Sequence, residues 1–425
     1  MLTRDISLAD CILDLLDNSV DGIGRSLMRR GATPAPENKF EGYQVSIHFD
    51  GAEFVISDNC GGIPIEIART YAFRFGKPDD AIHEIPHSIG LYGIGMKRAM
   101  FKMGREIEVT SSTGTESFRM KVNVDAWRAK DEDDWTFPLD QIKTQQTDVP
   151  LGTAVKVTSL YDGIRDEFGN PAFKNSLIRS AQRDYSFILQ HGLGLSMAGM
   201  SVKGILPQFR ESEEISPQET TRDIDGVHIE IIAGLSAPPP EDDSAEAKLL
   251  DADAYGWYVV CNDRVVVTAD KTSLTGWGVG TVPSWHPQYF GFLGVVRFES
   301  DDPSKLPWTT TKRAVDQNSG VFRAALLMMG DATKTFTEYT NKRKSELERA
   351  RAAENAAISV PVTTVRRSSI MKLPKVAYTQ MRRICYDKPE SEVKTVARAL
   401  GLRGTFSAKE VGIKTFDYYK EREVS

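Results

Sequence analysis

Two short segments joined by Asp50-Gly51 restrict the possible folds more than any other part of the sequence. Residues 43–49 alternate apolar and polar side chains, which is the pattern of a strand with one buried face, and residues 53–57 form a short, mainly apolar run of strand length. Asp-Gly between such segments is the strongest short-range signal for a tight hairpin. The two segments are therefore predicted to be adjacent antiparallel strands, an arrangement that a repeating βαβ unit does not contain.

Helix signals surround this hairpin. Ser7, followed three residues later by Asp10, forms a cap that predicts a helix of about 20 residues. Pro64 suits the first position of a helix from Ile65 to about Phe73, and another helix is predicted from Gly95 to Gly104. Further strands are predicted at 106–109, 117–124 and 153–159. This order predicts an α+β sandwich for residues 1–165.

The remaining chain is predicted to form two more regions. Residues 170–330 have the pattern of a second α/β domain, with a helix near 174–190 and strands near 228–233, 255–261, 264–268 and 289–298. Residues 331–425 are predicted to be a helical, basic C-terminal region, entered by a long helix that starts near residue 320.

Charge is unevenly distributed along the chain. The 425 residues carry a net charge of −6. Residues 340–384 contain eleven Lys+Arg and three Glu, a net of +8, so the other 380 residues carry −6 − 8 = −14. This basic segment is predicted to contact a nucleic acid or an acidic protein client. The alternative is that its charges solvate the long helix or pair with the acidic body.

Composition excludes several classes of protein. The chain has no run near the roughly 18 apolar residues that a membrane span needs, so no membrane partner is expected. It has no signal-like apolar core at its start. The four cysteines, at positions 11, 60, 261 and 385, are isolated, which supports neither a disulfide framework nor a zinc site. We expect a cytoplasmic protein.

The first predicted helix carries an acidic stripe. It contains Asp10, Asp14, Asp17, Asn18 and Asp21 at helical spacing. Like charges three or four residues apart cost about 0.2–0.5 kcal/mol each, so water or a cation must compensate them. A solvated face is the alternative. A neutral amide oxygen among carboxylates suits Mg²⁺ bound jointly with a phosphate, which makes Asn18 a candidate metal ligand.

Two glycine-containing motifs follow. Asp58 lies at a predicted strand end before Gly61-Gly62, where a carboxylate would accept from an exocyclic amine such as that of adenine. Ordinary turn chemistry is the alternative. The glycine-rich loop 90–95 precedes a helix whose first turn carries Lys97, an arrangement that attracts phosphate. It is neither a Walker A nor a Rossmann loop.

Taken with Gly152-Thr153 before a strand, these motifs resemble, in order and spacing, the four ATP-binding boxes of the GHKL superfamily. That superfamily includes gyrase B subunits, heat-shock 90 chaperones, histidine kinases, MutL and MORC ATPases, and has the Bergerat fold. The resemblance implies that Asn18 coordinates Mg²⁺, Asp58 binds adenine with support from Thr153, and residues 74–89 form the ATP lid. It implies nucleotide binding by Asn18, Asp21, Asp58, Gly62, Ile63, Gly90, Tyr92, Gly93, Ile94, Gly95, Met96, Lys97 and Thr153.

Two residues depart from the family pattern. Asp14 stands where the family has its catalytic glutamate, one methylene longer, so hydrolysis is expected to be slow. Cys60 stands where the family has the first glycine of its Asp-x-Gly-x-Gly box, and the adjacent Gly61 is expected to compensate.

The resemblance extends to about residue 330. Residues 258–265 resemble a strand and hairpin of the transducer domain, of ribosomal S5 type, that MutL, gyrase and MORC proteins share. Residues 306–313 resemble the loop that brings a lysine to the γ-phosphate, which makes Lys312 the candidate sensor and second catalytic residue. A solvated surface charge is the alternative for this lysine. The motif style is closest to MutL and MORC-like ATPases.

The resemblance implies an ATP hydrolase in which ATP and Mg²⁺ binding drives lid closure, domain rotation and dimer clamping on a partner. An ATP-gated binding or scaffold protein with little turnover is the alternative. A histidine kinase is disfavoured, because no histidine precedes His48.

Overall fold

The computed structural model describes residues 6–73, 89, 95–129, 137–145, 148–240, 254–309, 312–375, 384–402 and 406–424. The chain divides into two compact units, residues 1–377 and residues 378–425.

The helices of the first unit are α1 (Leu8–Arg30), α2 (Ile65–Ile67), α3 (Gly95–Met103), α4 (Val124–Arg128), α5 (Asp162–Phe168), α6 (Pro171–Asp184), α7 (Ser186–Gln190), α8 (Gly320–Lys342) and α9 (Leu347–Ala356). Its strands are β1 (Gln44–Phe49), β2 (Glu53–Asp58), β3 (Gly104–Ser112), β4 (Ser117–Asn123), β5 (Leu139–Lys143), β6 (Gly152–Leu160), β7 (Gly194–Met197), β8 (Met200–Val202), β9 (Gln208–Glu211), β10 (Gln218–Ile224), β11 (Val227–Leu235), β12 (Gly256–Cys261), β13 (Arg264–Asp270), β14 (Phe292–Glu299) and β15 (Ile358–Pro361). The second unit contains α10 (Glu390–Ala399) and α11 (Ala408–Glu423).

The first sheet has the order β5-β4-β3-β6-β2-β1-β7-β8. The predicted hairpin is confirmed, because β1 and β2 pair antiparallel with Ile47 opposite Ile56. The alternating apolar residues of both strands are buried in one core with the apolar residues of α1. Together with the large sheet, this confirms a mixed α/β fold of the α+β type.

The ends of the predicted helices follow their sequence signals. The Ser7 hydroxyl accepts a hydrogen bond from the Asp10 amide at 3.0 Å, as the cap predicted. Gly31 ends α1 in the left-handed region, with φ of +59°. The helix predicted from Ile65 is α-helical only to Ile67 and continues as a π-helical turn over Ala68–Ala72.

β7 and β8 extend the first sheet beyond the region predicted to contain it. The chain reaches them through α5, α6 and α7, and β7 pairs parallel with β1. A parallel partner requires such a long crossover connection. The first sheet therefore includes residues up to Val202, while the domain boundary near residue 165 stays a prediction.

The second sheet has the order β10-β11-β14-β12-β13. β12 and β13 form a hairpin whose turn residues, Asn262 and Asp263, both have positive φ values of 45° and 64°, as a type I′ turn requires. Helix α8 packs against this sheet, where the Trp257 indole donates to Thr333 Oγ1 at 3.1 Å.

The basic segment is not a continuous helix. Residues 357–375 are mainly extended, and β15 pairs with β9. The Arg343 guanidinium is buried against the Glu354 carboxylate. Arg367 donates to Glu219 and Glu230 at 2.5 and 2.6 Å. These two arginines are therefore paired within the first unit. Within the described residues, no helix is long and apolar enough to cross a membrane.

Candidate nucleotide-binding site

One cavity lies between α1, the end of β2, the start of α3 and β6. Its walls are Leu15, Asn18, Ser19, Gly22, Arg25, Ile56, Asp58, Cys60, Gly62, Ile63, Met96, Thr153 and Val155. Six of these residues belong to the set that the sequence motifs selected: Asn18, Asp58, Gly62, Ile63, Met96 and Thr153. Segments more than a hundred residues apart in sequence thus meet around one space.

Asp58 is held at one end of this cavity by neutral donors. Its Oδ1 accepts from the backbone amides of Cys60 at 2.9 Å and Thr153 at 3.1 Å. Its Oδ2 accepts from the Ser19 hydroxyl at 2.7 Å. Burial raises the pKa of Asp58 above its ordinary value, although these hydrogen bonds oppose the shift. The carboxylate is fixed in orientation before any ligand arrives.

Glycines allow the backbone around Asp58 to pack closely. Gly152 has φ of +128°, and a Cβ there would lie 1.8 Å from the Asp58 carbonyl oxygen. Gly62 has φ of +68°, and its Cβ would lie 2.1 Å from the Ser112 carbonyl oxygen. Side chains at these two positions would collide with main chain that cannot move aside. The two glycines are therefore required by close approach as well as by conformation.

Asn18 lies on α1 and lines the cavity. Its side-chain nitrogen is buried and has no hydrogen-bond partner among the described residues. No group of three or more His, Cys, Asp or Glu side chains in those residues could hold a metal ion. Asn18 is the residue that could offer an amide oxygen to Mg²⁺ held mainly by ligand phosphates, a common arrangement for this ion.

Asp14 lies one turn before Asn18. Its Oδ2 is 3.5 Å from Nη2 of Arg98. Gly95 packs against it, since a Cβ on Gly95 would come within 3.1 Å of the same oxygen. Burial raises the pKa of Asp14 to about 6, while Lys312 and Arg98 oppose the shift and Asp17 adds to it. The carboxylate thus titrates close to physiological pH.

Asp17 is the centre of a buried ionic network. Its Oδ2 accepts from Lys312 Nζ at 2.8 Å, and its Oδ1 accepts from Arg264 Nε at 3.3 Å. The Tyr185 hydroxyl lies 2.5 Å from Oδ1. Burial alone would raise the pKa of Asp17, but Lys312 and Arg264 hold it below the ordinary value. Residues from the second sheet and the loop before α8 thereby reach α1.

The network continues through Asp184 at the end of α6. Arg264 stacks on the Tyr185 ring at 4.2 Å and contacts Asp184 Oδ2 at 3.4 Å. Arg313 contacts Asp184 Oδ2 at 2.9 Å and Asp10 Oδ1 at 2.6 Å. Arg183 also contacts Asp184 Oδ1 at 2.9 Å, so three carboxylates and four cations compensate one another.

The other described residues of the predicted nucleotide-binding set do not line the cavity. Lys97 is fully buried, and burial lowers its pKa to about 8. Asp21 accepts from the Ile89 amide at 2.6 Å. Gly90, Tyr92, Gly93 and Ile94 lie outside the described residues, as does the predicted lid except Ile89.

Sequence reasoning missed Ser19, Arg25, Tyr185 and Arg264. Arg25 is the one cation among the described residues that line the cavity. It follows Asn18 by seven residues, so helical spacing could have found it. Tyr185 and Arg264 carry no local signal, since their partner Asp17 is far away in sequence.

The N-terminal region matches a known family. Residues 6–153 match the family model described as histidine kinase-, DNA gyrase B-, and HSP90-like ATPase. This match supports a GHKL-type ATPase domain in residues 6–153. It covers the cavity walls from Leu15 to Thr153 and supports ATP binding by this domain. A comparison with curated proteins found no match.

Proposed function

We propose that the chain binds Mg-ATP in this cavity and hydrolyses it slowly. The observation that carries the proposal is the meeting of Asn18, Asp58 and Thr153 around one cavity, within the segment that matches an ATPase family. Asp58 would accept from the adenine amine, because a carboxylate is an acceptor only. Thr153 supports this contact through its amide.

The side of the cavity formed by Asn18 would receive the phosphates. Asn18 would hold Mg²⁺, which supplies positive charge to the phosphates when it is bound. Asp14 would orient the attacking water as a general base. Lys312 would approach the γ-phosphate, and its ammonium group already lies in the same charge cluster as Asp14.

The test is nucleotide binding by calorimetry with and without Mg²⁺. Asn18→Ala should remove the Mg²⁺ dependence and most of the affinity for ATP. Asp58→Ala should abolish adenine recognition. Asp162→Ala, which removes an exposed carboxylate on α5, serves as the control and should bind as wild type does. Wild-type affinity in both cavity variants would refute the site.

An ATP-gated binding or scaffold protein is the second candidate. It is favoured by Asp14, which is one methylene shorter than glutamate and is held by Arg98 at 3.5 Å. Phosphate release by the pure protein, measured beside binding of labelled ATP, separates the two candidates. Binding without release at any Mg²⁺ concentration would favour the scaffold.

We also propose that nucleotide binding drives dimer clamping in the manner of MutL or MORC-like ATPases, in a cytoplasmic setting. Support comes from the ionic network that joins α1 to the second sheet, since such a contact could pass a change at the phosphates to the second sheet. Sedimentation velocity with a non-hydrolysable ATP analogue should then reveal a dimer that is absent without nucleotide. A monomer under both conditions would refute clamping.

A nucleic acid or protein client is proposed for the basic segment 340–384. The pairing of Arg343 and Arg367 supports the alternative for those two residues. Arg382 and Arg383 lie outside the described residues and remain the best candidates. Their reversal to glutamate should weaken a salt-sensitive, sequence-independent affinity for DNA or RNA. Absence of such affinity in wild type would direct the search to a protein client.

A further inference from the structure

Lys312 lies in a tight turn that holds it in an uncommon conformation. The Lys312 amide donates to the Thr309 carbonyl at 2.9 Å, and the Thr309 amide donates to the Ala314 carbonyl at 3.0 Å. Trp308 and Val315 bridge the base of this turn. Lys312 itself has φ of +53°. A side-chain-bearing residue in this region costs about 1–2 kcal/mol, and such strain persists where surrounding contacts enforce it.

Asp17 supplies the contact that fixes the side chain of Lys312. The pair is 2.8 Å apart, and both side chains are almost entirely buried. Asp17 is itself held by Arg264 and Tyr185, which come from two further segments. The carboxylate therefore has a fixed position from which to orient the ammonium group. Few other directions are open to Lys312, because moving it away would leave a buried charge without its partner.

We propose that Asp17 is the positioning residue for Lys312, holding the ammonium group on the phosphate side of α1 between Asp14 and Asp17. This inference rests on the proposed function and assigns a role to an acidic residue that the nucleotide motif leaves unexplained. Asp17 does not touch the nucleotide; it acts through Lys312. Its effect should therefore appear in the discrimination of ATP from ADP, which differ by the phosphate that Lys312 would read.

The experiment measures the dissociation constants of Mg-ATP and Mg-ADP for the full chain. Lys312→Ala should lower the preference for ATP over ADP by about tenfold, which is about 1.4 kcal/mol. Asp17→Asn, which keeps the size and removes the charge, should lower it by a similar factor. The double variant should be no worse than Lys312→Ala alone, because the two residues act as one unit.

Asp184→Asn is the matched control. Asp184 is as buried as Asp17 and belongs to the same network, but it pairs with Arg183, Arg264 and Arg313, not with Lys312. It should keep the wild-type preference for ATP. If Asp184→Asn loses the preference as Asp17→Asn does, the effect is general loss of the network and the inference is wrong. Independent, additive losses in the double variant would also overturn it.

Two further outcomes keep the test decisive. If Asp17→Asn fails to fold, Asp17→Glu decides, since it retains the charge but displaces the ammonium group and should lower the preference in part. An unchanged preference in that variant overturns the inference. If wild type binds neither nucleotide, the proposed function itself fails, and the inference falls with it. If wild type binds both and Asp17→Asn discriminates normally, the proposed function stands and only the inference is wrong.

Discussion

Two carboxylates, Asp58 in the cavity wall and the buried Asp17 beside the wall residue Asn18 on α1, have opposite surroundings. Asp58, at the proposed base end, is surrounded by neutral donors from Ser19, Cys60 and Thr153. Asp17, at the proposed phosphate end, is surrounded by the cations Lys312 and Arg264. Burial raises the pKa of Asp58, whereas the cations lower the pKa of Asp17. The partners, not the residue type, decide what each carboxylate can do.

The difference has a functional consequence. A carboxylate oriented by amides and a hydroxyl keeps its negative charge available for a ligand amine. A carboxylate neutralised by a buried lysine and arginine has little charge left to offer a ligand, and serves to hold its partners. Asp14 lies between these cases, with one long contact to Arg98 and a pKa of about 6. It is the acidic residue of the stripe best placed to act on water.

The largest effect should follow from removing the charge of Asp14. Asp14→Asn keeps the size of the side chain and removes the base, so turnover should fall by about 10²–10⁴-fold, the usual contribution of a general base. Affinity for ATP should persist. Initial rates of phosphate release and calorimetric binding check both statements. A variant as active as wild type would move water orientation to another residue.

The pH dependence of turnover should reflect the ionisation of the Asp14 carboxylate. Asp14 must be ionised to accept a proton, and its pKa is raised to about 6 by burial. Turnover should therefore be full above this pH and fall as pH drops through about 6. Lys312, Asp17 and Arg98 interact electrostatically with this carboxylate. A rate that is flat from pH 5 to 8, measured with ATP at saturation, would contradict the assignment.

The free energy of unfolding should distinguish the ionic surroundings of Asp17 and Asp184 from the neutral surroundings of Asp58. Asp184→Asn removes one of two carboxylate partners from the buried Arg264 and from the partly exposed Arg313 and should lower the free energy of unfolding by about 1.5–3 kcal/mol, as for hydrogen bonds to charged groups. Ser19→Ala removes one neutral donor to Asp58 and should cost about 0.5–1.5 kcal/mol. Urea unfolding of both variants measures the difference. Equal losses would mean that the two carboxylate environments are energetically alike.

The sequence predicted correctly the elements that have local signals. The β1–β2 hairpin, the Ser7 cap and the helix Gly95–Met103 each depend on residues close together in sequence. It did not reach β7 and β8 in the first sheet, because their pairing with β1 follows a long crossover. Strand β15 lies in a region that was predicted to be helical. The charged, alanine-rich residues before it resemble a helix, and its partner β9 is distant in sequence.

The site residues also fall into two groups, those that a local sequence motif selects and those that no local motif selects. Asn18, Asp58, Gly62 and Thr153 could be selected because each lies in a motif with its own spacing. The spacing of Asp17 showed only that it lies on the acidic stripe. Its partners are 168, 247 and 295 residues away in sequence. A counter-ion of this kind has no local signature, so only the fold distinguishes it from a solvated carboxylate.

The smallest expected effect comes from lengthening Asp14. Asp14→Glu restores the residue of the family pattern and moves the carboxylate by one methylene. Arg98 lies 3.5 Å from the present carboxylate and should follow it, while Gly95 offers no side chain to obstruct the change. Turnover should rise a few-fold if the aspartate side chain is too short to orient the attacking water well. The affinity for ATP should be unchanged. A fall in turnover would show that the surroundings of this residue are fitted to aspartate, so that they differ from the family pattern in geometry as well as in one residue.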